Sequence, residues 1–228
     1  GPTSSGSTRC QCLSESMTIR AATVENPLRL AVFISGSGSG MEALLRHQES
    51  KSCLHETTLV ISNIADASGL NKAKAHNVKT VALELDATIA NTKQRRESHE
   101  ARVMTVLEEH DIEAVILSGY MRILSPLFVR AWEGRLLNIH PSLLPKYPGA
   151  HAHRDALADG ATVTGCTVHL VDEGIDTGQI LAQSQLEIYP DDDEKSLSER
   201  VKKLEHKLYP QVIDSYVENQ LTHADETA

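Results

Sequence analysis

The sequence predicts an α/β sandwich built on one mostly parallel sheet, with an antiparallel C-terminal strand pair and helices on both faces. Short, wholly apolar runs such as LRLAVFIS (residues 28 to 35) and EAVILSG (113 to 119) have the length and β-branched content of strands buried on both faces. Segments of helical period separate such runs, which is the alternation of βαβ units. Toward the end, ATVTGCTVHLV (161 to 171) and GQILAQSQLEI (178 to 188) alternate apolar and polar residues, as antiparallel strands do.

Taken in order, the strand at 28 to 35 runs into GSGSG (36 to 40), a turn that opens a helix from Met41 to His47. TTLVISN (57 to 63) is the next strand, followed by a helix near Gly69 to His76 and a short strand, KTVALEL (79 to 85). Residues 92 to 110 form a long charged amphipathic helix before the strand at 113 to 119. In LSPLFVRAW (124 to 132), Ser125 stands as a cap directly before Pro126 in the first turn of a short helix. RLLNIH (135 to 140) is the last buried strand before a turn-rich loop, and after the alternating pair residues 193 to 217 close the domain as a helix. The arrangement is Rossmann-like, in a single domain without internal repeats.

At 228 residues and 40% hydrophobic content the chain can bury one full core, with little room for a second catalytic domain. A net charge of -9 without a run of Lys and Arg argues against nucleic acid or an acidic membrane surface as partner, and leaves small anionic ligands open. Of the four cysteines, Cys10 and Cys12 sit in a Ser/Thr-rich start, while Cys53 and Cys166 match no zinc spacing. That usage fits a reducing cytoplasm. No apolar stretch approaches the roughly 18 residues of a membrane span, and the start lacks a signal-peptide core, so a soluble cytoplasmic protein is expected. Gly1-Pro2 reads as a tag-removal scar and residues 1 to 27 as a disordered extension, with the domain at 28 to 222 and a short tail at 223 to 228.

Open α/β sheets bind ligands at the carboxyl ends of their strands, which directs attention to three polar places. Gly36 to Gly40 follow the first strand and open a helix, where backbone N–H groups and the helix dipole suit a phosphate. A plain flexible turn is the alternative. The loop has neither the Gly-Lys-Ser/Thr of a Walker motif nor G-x-G-x-x-G spacing, so a phosphate on a small substrate fits better than ATP or NAD. Asn138 and His140 end an apolar strand on one side, where an amide and an imidazole together can stabilise an oxyanion and pass a proton. A turn partner is the blander reading of either residue. The third place, Asp172 to Gly178, is by default a solvated hairpin turn, and in its functional version one carboxylate pairs with the histidine.

The stretches NIHPSLLPKYPG (138 to 149), GYMRILSP (119 to 126), GCTVHLVDEGIDTG (165 to 178) and LEHKLYP (204 to 210) together resemble the phosphoribosylglycinamide formyltransferases, a folate-dependent family. The resemblance spans about residues 29 to 217, with four motifs in order. It implies a catalytic asparagine, histidine and aspartate at Asn138, His140 and Asp176. It implies formyl transfer from the co-substrate 10-formyltetrahydrofolate to the amine of glycinamide ribonucleotide, without a metal or a covalent enzyme intermediate. It places the ribonucleotide phosphate at Gly38, Ser39, Gly40 and Met41, with Glu205 and Lys202 from the last helix. That family usually carries Asn where this chain has Gly40, which leaves backbone contacts there. For the folate it implies Met121, Arg122, Ile123 and Leu124, the loop residues Val171, Asp172 and Glu173, and Arg96 toward the glutamate tail. A solvated helix position is the alternative for Arg96. Small-molecule partners and a monomer or homodimer follow from the same likeness.

His151 and His153 invite a metal reading together with His140 and His169, but H-x-H in a loop without a carboxylate or thiolate at ligand spacing is weak, and the resemblance instead implies that both lie in a mobile loop near the substrates. Formyltetrahydrofolate deformylase shares the fold and the trio, yet normally carries an N-terminal regulatory domain for which 27 residues are too few. Methionyl-tRNA formyltransferase needs a C-terminal tRNA-binding domain, and the acidic balance disfavours tRNA. A non-catalytic nucleotide-sugar binding module is the reading from a different class, and the intact trio speaks against it.

Overall fold

A computed structural model describes residues 19 to 226. Seven strands form one sheet in the order β3-β2-β1-β4-β5-β6-β7. The first five, β1 (Leu28–Ile34), β2 (His55–Ser62), β3 (Lys79–Ala82), β4 (Ala114–Leu117) and β5 (Leu136–His140), run parallel, and β6 (Val163–Leu170) and β7 (Ile180–Glu187) are antiparallel. The helices are α1 (Ser39–His47), α2 (Ser68–Ala75), α3 (Thr92–Glu109), α4 (Pro126–Ala131), α5 (Ala152–Ala158) and α6 (Glu194–Glu226). None is long and apolar enough to cross a membrane, among the described residues.

The period of two in β1 builds both layers. Leu30, Val32 and Ile34 face a core shared with Met41 and Leu44 of α1, Leu70 of α2 and Tyr209, Ile213 and Val217 of α6. Ala31 and Phe33 face a second core with Val103 and Leu107 of α3, Phe128 of α4 and Trp132 directly after it. All five of these strand side chains are fully buried, as a central parallel strand requires. A smaller cluster of Cys166, Leu197 and Val201 seats the start of α6 on the antiparallel pair.

The helix starts carry the expected signals. Asn91 caps α3 by accepting from Gln94 N at 3.0 Å. Ser125 caps α4 by accepting from Phe128 N at 3.2 Å, with Pro126 in the first turn.

Four boundaries depart from expectation. Residues 19 to 27, expected in a disordered extension, lie against the domain: Ile19 and Ala22 are buried in the first core. Arg20 also grips Glu113 through two guanidinium nitrogens, at 2.5 and 2.9 Å, a bidentate pair that holds the segment down. The remainder of that extension, residues 1 to 18, lies outside the described residues. The loop after β5 contains α5, whose Ala152 and Ala156 are buried one turn apart; its seven residues are too few to show a period. β3 stops at Ala82, three residues early. α6 continues past residue 217 and through the boundary set at 222, passing Pro210 on the way.

Tyr216 donates its buried hydroxyl to the Gly134 carbonyl at 2.6 Å, tying α6 to the turn before β5. Tyr216→Phe leaves that carbonyl without its partner and is expected to cost about 1–3 kcal/mol, read as a lower urea midpoint at unchanged slope.

Candidate active site

An open cleft of about 720 Å³ lies at the carboxyl ends of β1, β4 and β5. The chain builds outward from β1 to β2 and β3, then crosses back to place β4 on the other side of β1. Such a reversal leaves the ends of two neighbouring strands without a covering connection, which is where open α/β sheets bind ligands.

One end of the cleft is the start of α1. Gly38 caps the helix in the left-handed region (φ 65°), and a Cβ there would sit 2.8 Å from Met41 Cε and 3.1 Å from Gly69 Cα. The first-turn amides, which have no partner within a helix, stand at the cleft wall beside Ser39. Gly40 has its own reason to lack a side chain, because a Cβ would meet Ser118 Oγ at 2.8 Å. Met41 does not reach the cleft; it is fully buried in the first core.

The facing wall comes from α6, with Lys202, Glu205 and His206. His206 Nε2 lies 3.2 Å from Ser39 Oγ, and burial and then the Lys202 charge lower its pKa. Burial pushes the Glu205 carboxyl up to about 7, against a smaller opposing pull from Lys202. The phosphate residues expected from sequence thus meet in space, apart from Met41.

The other end holds the polar trio. His140, the last residue of β5, is buried and faces two acceptors. Its Nε2 lies 2.8 Å from the Tyr147 carbonyl, which can only accept, so Nε2 carries a proton. Its Nδ1 lies 3.4 Å from Asp176 Oδ2. Asp176 also accepts from Gly149 N at 2.9 Å, which fixes the carboxylate between the loop after β5 and the loop between β6 and β7. Asn138 stands two residues before His140 on the same side of the strand, with Nδ2 3.4 Å from His169 Nε2. The antiparallel register sets Asn138 opposite His169, and His169 Nδ1 lies 2.9 Å from the Leu170 carbonyl, which leaves Nε2 as an acceptor toward Asn138.

Met121 and Ile123 are 80% and 73% exposed and form an apolar rim with Arg122. Ser35 Oγ pins this segment by accepting from Met121 N at 2.8 Å. Arg122, Ile123, Leu124 and Arg96 share a smaller adjoining depression that also holds Glu100 and Tyr120. Val171, Asp172 and Glu173 do not line the cleft. Val171 packs on the second core and Glu173 pairs with Arg130 at 3.0 Å. Asp172 Oδ1 accepts from Gly174 N and Thr177 Oγ1, and this turn shapes the loop that presents Asp176.

A sequence profile described as "Formyl transferase" matches residues 28–213. The chain belongs to the formyl transferase family. It is 41% identical to the phosphoribosylglycinamide formyltransferase of Brucella melitensis, with 84% of this chain and 96% of that chain covered at a TM-score of 0.78. Glycinamide ribonucleotide transformylase 1 from Symbiobacterium toebii is 35% identical, with 85% and 89% covered at a TM-score of 0.79. The trifunctional purine biosynthetic protein adenosine-3 of Bos taurus is 40% identical over an alignment of 226 residues that covers 93% of this chain and 22% of that protein. The chain therefore spans about a fifth of the length of this trifunctional relative.

His169 and His206 stand at or beside the cleft without a role from the sequence, and His153, which the resemblance set near the substrates, does line it. His153, expected in a loop, stands in α5 and lines the cleft with its Nδ1 buried and without a hydrogen-bond partner; burial lowers its pKa. His169 gives no sequence signal beyond its place in an alternating strand, since the register that sets it against Asn138 arises only on pairing.

Because the Glu205 carboxyl is raised in the folded state, folding favours its protonated form. That stability is fully present below the ordinary carboxylate range and is lost as pH rises toward 7. Glu205→Gln is therefore expected to raise Tm relative to the parent at pH 8.5, with the gain vanishing near pH 4.5, measured by thermal unfolding at both values.

Proposed function

We propose that this chain transfers the formyl group of 10-formyltetrahydrofolate to the amine of glycinamide ribonucleotide. The observation that carries the reading is the convergence of Asn138, His140 and Asp176 at one end of a cleft whose other end is a helix N-terminus faced by Lys202. An anion held by the α1 amides and Lys202 sets the distance from the phosphate to the reacting amine. Glu205, half-buried and poised near neutral, suits a sugar hydroxyl between them.

Asn138 Nδ2 donates to the oxygen that gains charge as the amine nitrogen bonds to the formyl carbon. His140, already donating through Nε2 to Tyr147, has Nδ1 as the nitrogen free to turn toward the same oxygen, since 3.4 Å is long for a bond to Asp176. Asp176, beside Nδ1, takes the amine's proton, which returns to the folate nitrogen as its bond to the formyl carbon breaks. His169 holds the Asn138 amide in the donating orientation. The exposed apolar rim of Met121 and Ile123 fits the flat pterin side of the donor, beside the Arg122 charge. No step in this route calls on a metal.

Removing one donor to such an oxygen costs about 3 kcal/mol, so Asn138→Ala and His140→Ala are each expected to lose at least about 100-fold in kcat. Asp176→Asn is expected to lose most activity. The assay follows 10-formyl-5,8-dideazafolate by absorbance, with and without glycinamide ribonucleotide. Turnover that requires the ribonucleotide supports the transferase. Turnover without it makes the chain a hydrolase, and retained ribonucleotide binding without turnover makes it a binding module. Lys202→Ala is expected to raise KM for the ribonucleotide with a smaller effect on kcat, separating anchoring from chemistry in the same assay.

A further inference from the structure

At the opposite end of the sheet from the cleft, four side chains with the chemistry of metal ligands meet. His47 ends α1, Cys53 lies in the turn that follows, His55 opens β2, and Asp214 comes from α6. One ligand atom from each lies within 4.8 Å of all the others. Both imidazoles already converge on one carboxylate: His47 Nε2 lies 2.9 and 2.8 Å from the two Asp214 oxygens, and His55 Nε2 lies 2.6 Å from Oδ1. The two rings stack with centroids 6.0 Å apart. The His55 side chain is fully buried, while His47 and Asp214 are about one-third exposed, which opens a path from solvent.

We propose that His47, Cys53, His55 and Asp214 form a binding site for a divalent transition metal, zinc being the ion this set suits best. Two imidazole nitrogens, one thiolate and one carboxylate oxygen are the donor number and types of a closed tetrahedral zinc site. The contraction from the present spacing is short, and His47 and His55 sit at the ends of packed elements, with Asp214 inside α6, so that packing holds them near one another. The ion replaces the thiol proton, and each imidazole stays neutral, its ring proton shifting from Nε2 to Nδ1 as Nε2 turns from Asp214 to the ion.

His55 then carries its single ring proton on Nδ1. Gln48 at present donates to that nitrogen at 2.9 Å, an orientation set by its oxygen accepting from Thr57 N and Oγ1. Loading therefore turns the Gln48 amide over, so that its oxygen faces Nδ1–H, the usual second partner of a metal-bound imidazole, while its NH2 donates to Thr57 Oγ1 and Thr57 N gives up its acceptor. The site joins α1, β2 and α6 and touches no residue of the proposed reaction, so its fate is independent of that reading.

The test is a cobalt(II) titration of the reduced full-length chain carrying Cys10→Ser and Cys12→Ser, so that the two N-terminal thiols contribute nothing. The expected result is a near-ultraviolet thiolate-to-cobalt band with intense visible bands, saturating at one equivalent and displaced by zinc. Cys53→Ser should abolish the near-ultraviolet band, and His47→Ala, at the exposed end of α1, should weaken binding at least about tenfold while retaining the parent far-ultraviolet dichroism. A folded parent without the thiolate band, or a band that survives Cys53→Ser, overturns the proposal.

Discussion

Strand β1 is buried on both faces, and the position of every functional group follows from that constraint. Its alternate side chains reach into two separate cores, each large side chain contributing on the order of 1.5–3 kcal/mol by leaving water. A strand so enclosed needs parallel neighbours on both edges and helices on both faces. The chain meets that need by building to one side as far as β3 and then returning to the other as β4. The cleft is the consequence of the return, because the loops leaving β1 and β4 diverge above their strands. Ser35, in the loop leaving β1, bonds Asn63 after β2 on one side and Met121 after β4 on the other, so a hydrogen-bonded seam runs across these strand ends.

Burying polar groups at that place is costly unless each finds a partner, and nearly all do. Asn138 is matched by His169, His140 by Tyr147, and Asp176 by Gly149. Leaving one such group unsatisfied costs about 1–3 kcal/mol, so the loops after β5 and β6 are held in place by the residues they serve. Asp176 itself adopts a left-handed backbone (φ 53°), and Gly178 follows where a Cβ would strike the Leu170 carbonyl at 1.7 Å. His153 is the exception among the cleft histidines, with a buried Nδ1 that finds no partner within the protein.

Helix α6 couples the two ends of the sheet. Its first turns set Lys202, Glu205 and His206 along the cleft, its middle buries Tyr209 and Ile213 in the first core, and Asp214 lies at the far end between two histidines. The fully buried Tyr209 hydroxyl donates to the Leu117 carbonyl at 2.9 Å, tying the same helix to the end of β4. Moving α6 therefore disturbs the cleft and the histidine cluster together.

The amino-acid pattern by itself determined the layered α/β class, every strand, five of the six helices, and the placement of Asn138, His140 and the glycine loop at strand ends. These are local properties: periodicity, caps and turn residues act within a few positions of the chain. Only the tertiary structure decided that Ile19, Ala22 and Arg20 belong to the folded body, that Met41 packs in the core beneath the glycine loop, and that Val171 packs on the second core while Glu173 pairs with Arg130. It also supplied His169 beside Asn138 through antiparallel register, and Asp214 beside His55 across a separation of 159 residues. Linear spacing around Cys53 carries no sign of that last meeting, because the donors come from three elements whose packing is driven by apolar burial elsewhere. A residue's type and local period are written in its neighbours in sequence; its neighbours in space are set by the shared core into which distant elements pack.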